Sequence, residues 1–256
     1  MAPLIRVMLQ NAPPFKVITG LTGQHPNWAG EVLKEFGISP DLMGELPASA
    51  SNDLTALQSS LLKVIKKWLN EETPDLVLVQ GDTSSALAGA LAAFQSRIPV
   101  GHIEAGLRSG DTSNPFPEEI HRRIISRISD LHFAPTLAAQ ENLIAEGVAK
   151  EKILHSGNTG IDAQRLAKPQ PGAELPEHIR HELSKLSPYS GKLITVTLHR
   201  RENWPLVGDI SKKLLQFIHS GPHRLIWVAH PNPALSEEVN ALLKSSEQCK
   251  VLPPQG

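Results

Sequence analysis

The residues best suited to chemistry are three acids near apolar segments: Asp82 and Glu104 close apolar runs, and Glu118 opens a helical one. Asp82 sits in Gly81-Asp82-Thr83-Ser84-Ser85, and Glu104 in His102-Ile103-Glu104-Ala105-Gly106-Leu107-Arg108. Glu118 follows Pro115-Phe116-Pro117. Clustered carboxylates push at least one pKa upward, giving a protonated acid beside an ionised base. Such a pair removes and returns a carbon-bound proton. Each acid also has a plainer reading. Asp82 suits a helix N-cap, Glu104 an internal ion pair with Arg108 or another arginine, and Glu118 the favourable end of a helix dipole. His102 and Glu104 share a strand face, but no further ligands cluster nearby, so no metal site is expected. A second group, His199-Arg200-Arg201-Glu202, follows another apolar run and suits phosphate neutralisation or a solvated surface.

These residues need a scaffold that brings strand ends together. Apolar runs at residues 75–80, 98–104, 131–134 and 153–156 alternate with helix-period segments at 84–95, 118–128 and 138–146. Residues 15–21 read as an earlier strand and 52–70 as a long helix, with Leu54, Leu57, Leu61, Ile65 and Trp68 on one face. The alternation restarts with strands at 193–198, 225–229 and 250–252 and helices at 207–219 and 234–244. Between the halves, residues 168–190 hold Pro169, Pro171, Gly172, Pro176 and Pro188, which mark a linker. The pattern predicts an α/β fold of parallel sheets covered by helices, with ligands at the strand C-termini. The expected domains are 1–168 and 191–256, joined by 169–190.

Composition narrows the class. The 256 residues carry 25 basic and 26 acidic side chains, so no nucleic-acid groove or polybasic membrane patch is expected. No apolar run approaches the roughly 20 residues of a membrane span. A single cysteine, Cys249, forms no intrachain disulfide and fits a reducing cytoplasm.

Taken in order, the motifs resemble the non-hydrolysing UDP-N-acetylglucosamine 2-epimerases. The matching stretches are Gln80-Gly81-Asp82-Thr83, residues 99–108, Pro117-Glu118-Glu119, His132-Phe133-Ala134-Pro135-Thr136, Gly157-Asn158-Thr159 and His199-Arg200-Arg201-Glu202. The resemblance implies two Rossmann-like domains of the GT-B-like kind and reversible inversion at C2 of UDP-N-acetylglucosamine. It implies catalytic roles for Asp82, Glu104, Glu118 and His199, and substrate or UDP contacts from Arg200 and Gln255. Gln24 and His25 match a pair that binds an activating second UDP-sugar in some bacterial relatives. It further implies a cytoplasmic homodimer serving polysaccharide synthesis, with no metal or cofactor.

The family pattern also has a first strand with a Gly-Thr-Arg-Pro-Glu loop before the position of Met1, and segments beyond Gln255. The expectation is therefore a fragment with an incomplete second domain, weakly active or inactive alone. Leu198 stands where the family usually has glycine. A hydrolysing 2-epimerase, an epimerase of a modified UDP-sugar and a non-catalytic nucleotide-sugar-binding relative share the constellation. The runs Glu104-Ala105-Gly106-Leu107-Arg108 and His132-Phe133-Ala134-Pro135-Thr136 favour the non-hydrolysing branch.

Overall fold

The structure, a computed structural model, describes residues 1–10, 15–24, 26–47, 53–167, 174, 177–186, 190–198, 201–230 and 232–253. It divides into two compact units, Met1–Lys168 and Pro169–Gly256.

The first unit is built on a parallel sheet of β3 (Val77–Gln80), β4 (Val100–Ile103), β5 (Leu131–Ala134) and β6 (Ile153–His155), side by side in chain order. Each crossover is a helix: α4 (Ser84–Gln95), α5 (Glu118–Ile128) and α6 (Leu137–Ala145). Such crossovers leave the strand C-termini on one edge. β4 is buried along its whole length, as expected for an inner parallel strand.

Preceding this sheet is α3 (Leu54–Glu72), capped by Asp53, whose carboxylate accepts from the amides of Thr55 and Ala56. Such a cap stabilises a helix by about 1 kcal/mol. From it Leu61, Ile65 and Leu69 pack into the core with Ala86, Ala88, Ala90 and Ala93 of the alanine-rich α4. The small side chains let α4 lie close to its neighbours, and each fully buried leucine contributes about 2 kcal/mol. Leu54, expected on the buried face, is exposed at the first turn.

The segment expected as a strand over 15–21 pairs only at β1 (Gly20–Leu21), in parallel with β2 (Leu42–Met43). Three helices go beyond the periodicity reading: α1 (Ala2–Gln10), α2 (Pro26–Glu35) and α7 (Thr159–Ala167).

In the second unit, β7 (Leu193–Thr197), β8 (Arg224–Val228) and β9 (Cys249–Leu252) form a parallel sheet. The helices are α8 (Glu177–Ser184), α9 (Val207–His219) and α10 (Pro233–Leu243). Its core is Val207, Ile218, Leu225, Trp227, Val239 and Leu243. Among the described residues, no helix is long and apolar enough to cross a membrane.

One backbone approach fixes the loop after β4. Gly106 has φ +85, and a Cβ there would lie 2.1 Å from the carbonyl oxygen of Ala139 on α6. Gly106→Ala combines a left-handed backbone with a clash against main chain. Its expected cost is about 3 kcal/mol, read as a lowered urea midpoint. An unchanged midpoint would contradict this packing.

Candidate functional site

The site grows from the ends of β3 and β4. β3 is an apolar run that stops at Gly81, whose φ of +71 turns the chain sharply into α4. The Gly81 amide donates to the carbonyl of Ile103 at 3.0 Å, so the ends of β3 and β4 are locked together. Glu104 then leaves β4 with φ +66. A non-glycine residue there costs roughly 1 kcal/mol, a strain typical of functional positions. Its carboxylate lies beside Gly81, with Oε2 3.4 Å from where a Cβ would stand, and Oε1 accepts from Asn158 Nδ2 at 3.2 Å.

Asp82 does not cap α4. That role belongs to Thr83, whose hydroxyl accepts from the amide of Ala86. The Asp82 carboxylate instead meets Arg122 on α5, with Oδ2 2.7 Å from both Nε and Nη2. Arg122 also reaches Glu119, which is fully buried and held by Arg123 at 3.0 Å and by the amide of Ser109 at 2.9 Å. Burial alone would raise the Glu119 pKa, but the Ser109 amide and Arg123 outweigh it and hold the carboxyl below its ordinary value.

Glu118 occupies the first turn of α5, one turn before Arg122, so the two share a helix face. Among the described residues its carboxylate has no hydrogen-bond or ion-pair partner. The structure thus brings Asp82 and Glu104 side by side at adjacent strand ends, and sets Glu118 next to the arginine that holds Asp82.

Arg108 does not pair with Glu104. It forks onto Glu146 at 2.7 and 2.8 Å and donates to Ser126 at 3.0 Å, tying the loop after β4 to helices on either side. This fork holds the Glu146 carboxyl below its ordinary pKa.

Gln24 Oε1 accepts from the amide and hydroxyl of Ser85, at 3.0 and 2.6 Å, at the start of α4. His25, His199, Arg200 and Gln255 lie outside the described residues. The reading of single residues did not single out Arg122 or Asn158. Arg122 carried a signal: it lies four residues after Glu118 and three after Glu119, the spacing of helical ion pairs.

Behind the site, His102 and His132 stand opposite each other on β4 and β5, both fully buried. Burial pushes His102 down to about 4, against the opposing effect of its bond to the Gly81 carbonyl. His102 is therefore neutral in the fold, while the unfolded chain takes up its proton below about 6.5. Its contribution is complete above that pH and is lost as pH falls toward about 4, by about 3 kcal/mol. Burial also lowers the pKa of His132, which adds in the same sense. Urea unfolding at stepped pH is expected to show this loss, and His102→Gln to reduce it; a flat profile would contradict it.

Parallel strands joined by helices define a Rossmann-like α/β protein, and its acids stand at the strand ends, on the edge where ligands of such sheets bind. The sequence profile described as UDP-N-acetylglucosamine 2-epimerase matches residues 7–256. The UDP-N-acetylglucosamine 2-epimerase of Escherichia coli K12 is 36% identical over 260 residues, covering 100% of this chain and 68% of that protein. The Neisseria meningitidis UDP-GlcNAc 2-epimerase, solved bound to UDP-GlcNAc, superimposes with TM-score 0.85 at 32% identity, covering 100% of this chain and 69% of that one. The S. aureus MnaA–UDP co-structure gives TM-score 0.84 at 31% identity, with coverage of 100% and 65%. This chain belongs to the UDP-N-acetylglucosamine 2-epimerase family, whose solved members share the GT-B-like fold. It spans about two thirds of the length of these relatives.

Proposed function

We propose that the chain carries the proton-transfer half of a reversible C2 epimerisation of UDP-N-acetylglucosamine to UDP-N-acetylmannosamine. The observation that carries this reading is the pairing of one clamped and two unclamped carboxylates at the ligand edge of the first sheet. Asp82 is held by Arg122, whereas Glu104 and Glu118 meet no cation in an ion pair among the described residues. Glu104 and Glu118 are then the proton carriers, and Asp82 the fixed charge beside them.

In this reading one carboxylate takes the C2 proton. The electron pair of the C–H bond forms a C1–C2 double bond, and the C1–oxygen bond breaks with UDP taking its electrons. UDP then re-adds to C1, and a proton reaches C2 from the opposite face. Proton carriers on two elements, the end of β4 and the start of α5, suit delivery to two faces. On the resemblance of their motifs, His199 is a catalytic, substrate-contacting histidine, Arg200 and Gln255 contact the UDP, and Gln24 with His25 forms an activator site.

The domain reading is 1–168 and 191–256 with 169–190 as linker, supported by the proline-rich composition of that segment. The single cysteine supports a cytoplasmic setting. The family resemblance carries the homodimer and the supply of polysaccharide synthesis.

The test is product identity. Incubation with UDP-N-acetylglucosamine, followed by chromatography, is expected to yield UDP-N-acetylmannosamine, at the low rate of a weakly active fragment. Free N-acetylmannosamine with UDP, or unchanged substrate, would overturn the assignment.

A further inference from the structure

Two histidines outside the carboxylate set grip consecutive carbonyl oxygens at the turn between β3 and α4. His102 Nε2 lies 2.8 Å from the Gly81 oxygen. His121 Nδ1, from α5, lies 2.8 Å from the Asp82 oxygen. A carbonyl oxygen only accepts, so each of these ring nitrogens carries the proton. In their neutral forms the two imidazoles are opposite tautomers, Nε2–H at His102 and Nδ1–H at His121.

His102 has no other visible occupation. It is fully buried, and its Nδ1 meets no partner among the described residues. Burying an imidazole inside a sheet costs free energy that an apolar side chain would not. The bond to Gly81 is what the ring provides in return. That bond matters because Gly81, with no side chain and φ +71, is not held in place by packing of its own. Its amide is fixed by Ile103, its carbonyl by His102, and the next carbonyl by His121. These contacts set where Asp82 leaves the turn toward Arg122 and where the Glu104 carboxylate rests beside Gly81.

We propose that His102 and His121 are positioning residues that clamp the Gly81–Asp82 carbonyls and so fix the separation and aim of Asp82 and Glu104. The proposal rests on the C2-epimerase reading of the same site.

Donor-matched substitution tests it. A glutamine Nε2 reaches the place of an imidazole Nε2, and an asparagine Nδ2 that of an imidazole Nδ1. His102→Leu and His121→Leu are each expected to lower kcat for epimerisation by about 100-fold, with KM nearly unchanged. His102→Gln and His121→Asn are expected to restore most of kcat, while the crossed pair, His102→Asn and His121→Gln, does not. A merely structural role would shift melting temperature without this reciprocal preference. Equal rates for both amides at each site would overturn the clamp, and this comparison stands even where a leucine variant fails to fold. A second readout needs no turnover. Long-range proton–nitrogen NMR of the unmodified chain is expected to show opposite tautomers at His102 and His121, and the same tautomer at both would overturn the proposal. Opposite tautomers in a chain that forms no UDP-N-acetylmannosamine would support the clamp and remove the epimerase reading alone.

Discussion

Glu104→Gln is expected to reduce the rate of C2 epimerisation by about 1000-fold while leaving the fold intact. The substitution keeps the shape of the side chain, and its amide oxygen still accepts from Asn158 Nδ2, the one hydrogen bond seen for the native carboxylate among the described residues. The left-handed backbone at position 104 is no worse for glutamine than for glutamate. What disappears is the capacity to take up and release a proton at the end of β4. Steady-state formation of UDP-N-acetylmannosamine, with melting temperature as the control for folding, checks this. A variant that keeps its rate would remove Glu104 from the proton path.

Arg122→Met is the second large effect, and it acts on both stability and rate. Arg122 joins two carboxylates, Asp82 at 2.7 Å and the fully buried Glu119 at 3.4 Å. Removing Arg122 leaves the part-buried Asp82 carboxylate without its cation, with an expected loss of about 1 to 2 kcal/mol. Glu119 retains Arg123 and the Ser109 amide, so the larger disturbance falls on Asp82. With its cation gone, the Asp82 carboxylate turns from its present aim, and a fall in kcat of about 100-fold is expected. The double variant Asp82→Asn with Arg122→Met separates the effects. It removes the orphaned charge, so part of the lost stability returns, while the rate does not. Additive losses in urea unfolding would show that the pair is not coupled.

The scaffold was largely legible because its signals are local and repeated. The helices Ser84–Gln95, Glu118–Ile128 and Val207–His219, and the strand Leu131–Ala134, fall at the boundaries their periodicity predicts. Each is an apolar-patterned segment ended by a strong breaker or a change of period. The helix Thr159–Ala167 was not legible from periodicity: its large apolar residues, Ile161 and Leu166, do not stand at the spacing of one helix face, and both are exposed. The strand Gly20–Leu21 makes only two pairs, too few to impose a pattern.

The site was legible as a set of residue types but not as a set of partners. Asp82 and Thr83 are both good caps, and only the geometry assigns the cap to Thr83 and frees Asp82 for Arg122. Arg108 and Glu104 are four residues apart, yet the chain turns between them and Arg108 reaches Glu146 instead. Such choices depend on side-chain direction after a turn, which residue spacing does not encode. The two histidine contacts on Gly81 and Asp82 join elements 21 and 39 residues apart and leave no local mark.

On the proposed function, the carboxylates at the end of β4 and the start of α5, beside the fixed charge at the end of β3, move a proton at C2 of a UDP-sugar. Incubation with UDP-N-acetylglucosamine in deuterated water, followed by NMR of the recovered nucleotide sugars, tests it most directly. Deuterium is expected at C2 of both UDP-N-acetylmannosamine and recovered UDP-N-acetylglucosamine. Epimer that keeps its original C2 hydrogen, or no exchange at all, would contradict it.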